Sequence, residues 1–504
     1  MNTSSDRFGD YSTIVVFGAS GDLAKKKTFP ALFGLFREGE LPSTIRIIGY
    51  ARSKLSDEDF KSRISANLKG VTNENKHKVQ EFLNLCSYHQ GAYDQPEGFK
   101  DLETEIKKYE DKHSITKPDR LFYLALPPSV FTAVAKNLKE HVYTKEGRVR
   151  LVVEKPFGHD LASSRELQKD LAPLFSENEL YRIDHYLGKE MVKNLVVLRF
   201  ANEVMGACWN KNYVRSVQIS FKEAFGTEGR GGYFDDVGII RDVMQNHLLQ
   251  VLTLLAMERP VSFDPEAIRD EKVKVLKAIG DIETDDILLG QYGKSEDGTK
   301  PGYLDDETVK SDSKCVTYAA IGLQIHNERW EGVPFVMRAG KALNESKVEI
   351  RIQFKPASKG MFNSVERNEL VMRIQPDEAI YLKINSKIPG ISDQTSVTDL
   401  DMTYSKRYSK QFWIPEAYES LIRDCFLGNH SNFVRDDELD ISWKLFTPLL
   451  EHIESKTGPV PESYPYGSKG PKQLRSFLNK HGYVFEDQGS YEWPLTTPNV
   501  KGKI

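Results

Sequence analysis

The sequence predicts two folds in one chain. Residues 1–185 read as an α/β domain on a parallel sheet, and residues 186–504 as a larger α+β domain with a mainly antiparallel sheet. Three observations lead there. Short β-branched or aromatic apolar runs alternate with amphipathic stretches in the first third of the chain. After about residue 200, apolar and polar residues alternate with period two. No internal repeat and no long linker separates the two patterns.

Taken in order, Thr13–Phe17, Ile45–Tyr50, Leu121–Leu126 and Val149–Val153 are the continuous runs expected of strands buried on both faces. Between them, Ser56 caps a helix with Asp59 three residues on. Phe60, Ile64 and Leu68 recur at four-residue spacing, and Gly70 is the stop. Val130, Val134 and Leu138 repeat that spacing. Pro30 falls inside the helix expected after the first strand, so its regular part is expected to start there. Later, Val217, Ile219 and Phe221 alternate with polar residues. So do Val348, Ile350, Ile352 and Phe354, then Leu370, Met372 and Ile374, then Ile380, Leu382 and Ile384. Such strands have one covered face, and the apolar segment from Val237 to Met257 is the helix expected to cover it.

Composition narrows the function. With 39% hydrophobic, 28% charged and 11% aromatic residues among 504, the chain is globular. Its net charge of −4, with no like-charge run longer than Lys25-Lys26-Lys27, excludes a general nucleic-acid or membrane-surface binder. A bound anion should therefore be small and held in a local pocket. Cys86, Cys208, Cys315 and Cys425 lie far apart, without a C-x-x-C pair. That is too sparse for a zinc site or a disulfide framework, so no metal and a reducing compartment are expected. The polar first dozen residues and the absence of a run near the ~18 apolar residues of a membrane span predict a cytoplasmic protein with no membrane partner.

The run Gly18-Ala19-Ser20-Gly21-Asp22-Leu23-Ala24 follows the first strand and opens a helix. Glycine permits the tight turn and the backbone's approach to a pyrophosphate, which the helix N-terminus meets with unpaired N–H groups. The pattern, G-x-x-G-x-x-A, also fits an ordinary Gly-rich βα turn. The second strand ends Gly49-Tyr50-Ala51-Arg52-Ser53, without the carboxylate that holds an NAD ribose. Arg52 is either a solvated surface arginine or the grip on a 2′-phosphate. Together the two features favour NADP on a Rossmann-like domain. Glu154-Lys155-Pro156-Phe157-Gly158 closes another strand, placing Lys155 to bridge cofactor and substrate or to lie in solvent beside an enforced turn.

Further on comes Arg182-Ile183-Asp184-His185-Tyr186-Leu187-Gly188-Lys189-Glu190. With the GASGDLAKKK run and the EKPFG turn, it resembles the glucose-6-phosphate dehydrogenase family. The likeness continues through Phe225–Phe234, Ile240–His247 and Met337–Leu343, and so covers nearly the whole chain. On physical grounds, His185, Tyr186 and Lys189 are either scattered polar residues at a helix cap or the charge and hydroxyl that a phosphate takes at a helix start. A lone histidine in an apolar helix such as His247 is more often structural than catalytic. Glu223 shares the parity of Val217, Ile219 and Phe221, and a carboxylate on a covered face needs a partner.

The resemblance implies the rest. His247 is the general base, and Asp184 its carboxylate partner. His185, Tyr186 and Lys189 bind a sugar phosphate, while Asp242, Glu223, Lys341, Gln375 and Lys155 contact the sugar. The loop from Gly18 to Ala24, with Lys25, Arg52 and Lys155, holds the coenzyme. The implied activity oxidises D-glucose 6-phosphate at C1 to 6-phospho-D-glucono-1,5-lactone with NADP. This opens the oxidative pentose phosphate pathway, in a homodimer or homotetramer. Two alternatives are an NADP-dependent dehydrogenase of another sugar and a catalytically silent NADP-binding sensor. Retention of His185 and Lys189 argues against the first, and retention of Asp184 and His247 against the second. Two departures are Ser346, where some members carry a basic substrate contact, and Phe131, in place of a tyrosine near the coenzyme.

Parity also puts Lys347, Arg351 and Lys355 on the polar face of one strand. Arg373 and Gln375, then Tyr381 and Lys383, occupy the polar faces of the next two. This is either a solvated face or, with many basic groups and few carboxylates, a polyanion site. Several eukaryotic relatives hold a second NADP in this region. The resemblance assigns to it Arg338, Lys347, Arg351, Arg373, Tyr381, Lys383 and Asp401. Tyr404 and Trp493 belong to the same pattern, and Lys469 stands there for an arginine.

Overall fold

The computed structural model describes residues 11–358, 360–361, 365–391, 393–408 and 412–485. Trp493 lies outside them. Six strands form an all-parallel sheet: β1 (Tyr11–Phe17), β2 (Arg46–Ala51), β3 (Cys86–Gln90), β4 (Asp119–Leu124), β5 (Val149–Glu154) and β6 (Leu180–Ile183). Their spatial order is β3-β2-β1-β4-β5-β6. All residues of β1, β4 and β5 are buried, as two-sided apolar runs require. The edge strands β3 and β6 escape the sequence reading. β3 is Cys-Ser-Tyr-His-Gln and partly exposed, because an edge packs less side-chain surface. β6 is short and carries Arg182, which is buried only because Glu177 and Gln168 accept from its guanidinium, each at 2.8 Å.

Ser56 caps its helix as expected, accepting from the Asp59 N–H at 3.1 Å. That helix, Asp57–Ser65, stops before Leu68 because tight turns from Asn67 N to Ile64 O and from Leu68 N to Ser65 O close it early. After β1 a π-turn, Ala24–Thr28, precedes the regular helix Phe29–Arg37, with Pro30 in its first turn. The compact unit that carries this sheet runs to Lys189 and includes Pro260–Asp270 and Pro415–Asp440.

The other unit is built on a nine-stranded sheet. Its strands are β7 (Val214–Lys222), β8 (Ile287–Gly293), β9 (Tyr318–Leu323), β10 (Phe335–Gly340), β11 (Lys347–Phe354), β12 (Glu369–Gln375), β13 (Ala379–Lys387), β14 (Thr395–Thr403) and β15 (Glu462–Pro465). Their order is β14-β13-β12-β11-β7-β10-β9-β8-β15. Every pairing is antiparallel except β10 on β7 and β15 on β8. The apolar segment from Val237 to Met257 is not one regular helix. Gly238 sits at φ +64°, then Ile240–Leu248 forms a π-helix and Leu249–Ala256 an α-helix buried at every residue. The π-helix packs against β7 and β10, the face it was expected to cover. Among the described residues, no helix is long and apolar enough to cross a membrane.

Candidate active site

In the parallel-sheet unit, the loop after β1 has the form its glycines predict. Gly18 takes φ +79°, and a Cβ there would lie 2.2 Å from the Ala125 carbonyl oxygen, so no other residue fits. Gly18 and Ala19 donate to the Tyr50 carbonyl at 2.9 and 3.2 Å, tying the loop to the end of β2. Ser20, Gly21 and Asp22 stand clear of the core, and Asp22 pairs with Lys25 at 3.0 Å and Lys26 at 2.9 Å. Arg52 is exposed at the end of β2, its guanidinium carbon 5.3 Å from the Tyr93 ring centre. A glycine cradle with an exposed, aromatic-backed arginine at the next strand end fits a phosphate-bearing dinucleotide. Phe131 is fully buried at the start of the helix Phe131–Asn137, where it packs as core.

Lys155, half-buried, follows β5 through a cis bond to Pro156. Beyond β6, Asp184 is 2% exposed and accepts from the Tyr186 N–H at 2.9 Å, capping the turn His185–Gly188. That cap holds His185 and Tyr186 on one short turn, with the Lys189 ammonium 5.2 Å from the Tyr186 ring.

In the antiparallel-sheet unit, Glu223 has the partner its parity demanded. The Lys341 ammonium lies 2.5 Å from a Glu223 carboxylate oxygen and 3.7 Å from Asp242. It also faces the Phe234 ring at 5.0 Å. Lys341 is held by its backbone: its N–H donates to Thr317 O, and its carbonyl accepts from the Tyr464 hydroxyl at 2.8 Å. The next residue, Ala342, is forced to φ +53°, a strained conformation of the kind that clusters at functional sites. Asp242 and His247 share the π-helix, and five residues is its hydrogen-bond repeat, so both fall on one helix face. The regular helix read from the sequence would have turned them apart. His247 is 3% exposed. Gln375 ends β12 beside a cis bond to Pro376, and Ser346 accepts from the Ala224 N–H at 2.9 Å.

The same unit contains a cavity of about 950 Å³ over the polar face of β7, β11, β12 and β13. Arg338, Lys347, Arg351, Arg373, Tyr381, Lys383 and Lys469 all line it, whereas Asp401 and Tyr404 do not. Lys355 is not on that face: a register shift between Gln353 and Phe354 takes it out of the strand's alternation. The face also carries more acid than expected. Glu349 and Glu369, only 2% and 3% exposed, pair with Arg351 at 2.8 Å each, and Glu369 also with Lys383 at 3.2 Å. Burial pushes the Glu349 carboxyl up, but Arg351 and Lys347 outweigh it and hold it down at about 2. Burial, reinforced by Arg338, pulls the Lys222 ammonium down to about 8 despite Glu345. Among the described residues, ten cations still face three carboxylates around the cavity. Glu349 was legible by parity with Lys347 and Arg351; Lys222 and Gln218 on β7 were missed because their strand was read for its apolar face alone.

A glycine loop on a six-stranded parallel sheet defines a dinucleotide-binding unit, here joined to an antiparallel unit with a lysine–carboxylate cluster. Residues 15–194 match the family described as "Glucose-6-phosphate dehydrogenase, NAD binding domain". Residues 196–493 match "Glucose-6-phosphate dehydrogenase, C-terminal domain". The chain belongs to the glucose-6-phosphate dehydrogenase family. It is 70% identical over 498 residues to the glucose-6-phosphate 1-dehydrogenase of Cyberlindnera jadinii, covering 99% of this chain and 100% of that one. Identity to the Saccharomyces cerevisiae enzyme of the same name is 65%, over 99% of both chains. A solved glucose-6-phosphate dehydrogenase in complex with its substrate glucose-6-phosphate superposes with TM-score 0.93 at 64% identity, covering 96% of this chain and 100% of that one.

Proposed function

We propose that this chain oxidises the C1 hydroxyl of D-glucose 6-phosphate to 6-phospho-D-glucono-1,5-lactone, with NADP as hydride acceptor. The observation that carries the reading is the Lys341–Glu223–Asp242 cluster beside the π-helix of His247. Alternating carboxylates and an ammonium are hydrogen-bonding groups for sugar hydroxyls. The bound nicotinamide supplies the acceptor for the C1 hydride. His247 takes the hydroxyl proton, and a neutral imidazole suits that step near neutral pH. Asp184 is assigned to hold that imidazole in the right tautomer, while His185, Tyr186 and Lys189 anchor the phosphate and Lys155 the junction of sugar and coenzyme. Gln375 is assigned to a further sugar contact. Arg52 supports NADP over NAD, because an exposed guanidinium stands where a ribose-binding carboxylate would otherwise be. The test is NADPH absorbance with glucose 6-phosphate against glucose and galactose 6-phosphate. Turnover of glucose equal to that of its phosphate would defeat the reading.

The cavity over the polar sheet face supports a second NADP site, with Arg373 and Lys469 among its cations; Asp401 and Trp493 are assigned to it by the family resemblance alone. Ligand that binds only the folded state raises its stability by mass action. NADP should therefore still raise Tm in Gly21→Trp, whose coenzyme loop is blocked, and fail to do so once Arg373→Gln and Lys469→Gln are added. Arg351 is left intact because its removal would strand Glu349 and Glu369. No residual rise in Gly21→Trp would remove the second site.

The chain is further proposed to assemble as a homodimer or homotetramer in the cytoplasm. The edge strand β14 exposes Leu400 at 58%, as a strand covered by another copy would, and the four cysteines are free, as in a reducing compartment. Light scattering on the purified chain decides the assembly.

A further inference from the structure

The short helix Gly231–Asp235 packs directly on residues 303–315. Its two glycines permit that approach. A Cβ at Gly231 would lie 2.4 Å from Val309 Cγ2, and one at Gly232 would lie 2.8 Å from the Thr308 carbonyl oxygen. The Gly231 N–H donates to Asp306 at 3.0 Å, and the Gly232 N–H to the Thr308 hydroxyl at 2.8 Å. At the other end of the helix, Asp235 accepts from the Tyr303 hydroxyl at 2.8 Å and from the Ser313 hydroxyl. Tyr303 is fully buried, and its ring meets that of Phe234 at 77° with centres 6.3 Å apart. The Phe234 carbonyl accepts from the Val237 N–H at 3.0 Å. Phe234 is thus fixed by backbone and neighbours alike, with its ring centre 5.0 Å from the Lys341 ammonium.

We infer that Phe234 is a positioning residue for the Lys341 ammonium, held in place by Tyr303 through Asp235. The inference rests on the reading of the Lys341 cluster as the sugar site. Lysine is a point charge on a flexible four-carbon stem. Glu223 restrains that charge by a hydrogen bond at 2.5 Å, whereas Asp242 at 3.7 Å is beyond hydrogen-bonding reach. The face of an aromatic ring attracts a cation without occupying any of its N–H groups. Phe234 therefore steadies the ammonium between the carboxylates and leaves its donors to sugar hydroxyls. A lysine ordered before the sugar arrives loses less freedom on binding, so the effect falls on substrate affinity and not on hydride transfer.

The test places mono-, di- and trifluorinated phenylalanine at position 234. These rings nearly keep the shape of phenylalanine while progressively weakening the negative face that a cation meets. KM for glucose 6-phosphate should climb in step with fluorination. It should reach roughly three- to thirtyfold with the trifluorinated ring and in Phe234→Leu, with kcat within about twofold and the coenzyme KM unchanged. The fluorinated rings carry the test if Phe234→Leu fails to fold. Tyr303→Phe removes only the hydroxyl and should raise the same KM by about two- to tenfold. In the Lys341→Met background none of these changes should move KM further, because the cation is gone, whereas a packing defect would persist there. A KM flat across the fluorinated series, or equal rises with and without the Lys341 ammonium, overturns the inference and leaves the function standing. An unchanged KM in Tyr303→Phe overturns the part assigned to Tyr303. Lys341→Met with an unaltered KM overturns the reading of the sugar site itself.

Discussion

The Lys341 ammonium and the Glu223 carboxylate, 118 residues apart, meet at 2.5 Å, and the pair is mostly hidden from solvent. β10 and β7 make this contact by pairing in parallel, which brings Gly340 beside Lys222 and sets the next residue of each strand together. Lys341→Met should remove a charged hydrogen bond and strand Glu223, at a cost of about 1–3 kcal/mol in urea unfolding and with a raised KM. Lost stability with KM unchanged would make the pair structural only.

The two histidines should respond oppositely to one chemical change. His247→Asn should lower kcat by about 10²–10⁴-fold with substrate affinity nearly intact, since it removes the base. His185→Asn should mainly raise KM. Asp184→Asn should resemble His247→Asn in direction but be milder. Asparagine keeps an oxygen for the Tyr186 N–H, so the turn survives. Steady-state kinetics on the three variants separates the roles, and a pure KM effect in His247→Asn would end its assignment as base.

Arg52 is exposed and supported by the Tyr93 ring, so its removal should leave the fold unchanged. Arg52→Ala should weaken NADP by roughly ten- to hundredfold, the worth of one charged hydrogen bond, and NAD far less. Coenzyme KM values measured side by side decide it, and equal losses would make Arg52 structural.

Glu349 predicts an acid limit. Its folded carboxyl is held at about 2 against an ordinary 4.5, so the unfolded chain binds the extra proton. The stability it contributes is complete above about 4.5 and is lost as pH falls toward 2. Its size is on the order of 3 kcal/mol at most. Urea midpoints at stepped pH should therefore fall less steeply for Glu349→Gln than for wild type across that window. Parallel curves would show that the ion pair with Arg351 contributes nothing.

The fold was legible where apolar residues recur with a strand's period. β1, β4 and β5 announce themselves as apolar runs because burial is complete there; β7, β11, β12 and β13 announce themselves as alternations, although the polar face read as open to solvent is largely buried too, with Gln218, Glu349 and Glu369 at 1%, 2% and 3% exposure. β3 and β6 were silent for the opposite reason: an edge strand, or one whose arginine is paired from elsewhere, carries no apolar signature. Glu349 and Glu369 show the limit within a strand that was read correctly. Their parity was visible, but their pairing with Arg351 turned a face expected to be basic into one partly neutralised.

By itself the sequence determined the parallel and antiparallel sheets, the glycine loop and the residue types of the site, since these depend on spacing along the chain. Only the tertiary structure decided that Lys341 meets Glu223, that the π-helix aligns Asp242 with His247, and that residues 415–440 return to the parallel-sheet unit. Those contacts join residues tens to hundreds of positions apart. Their energies depend on strand order and on which buried charges find partners, and no local pattern encodes either.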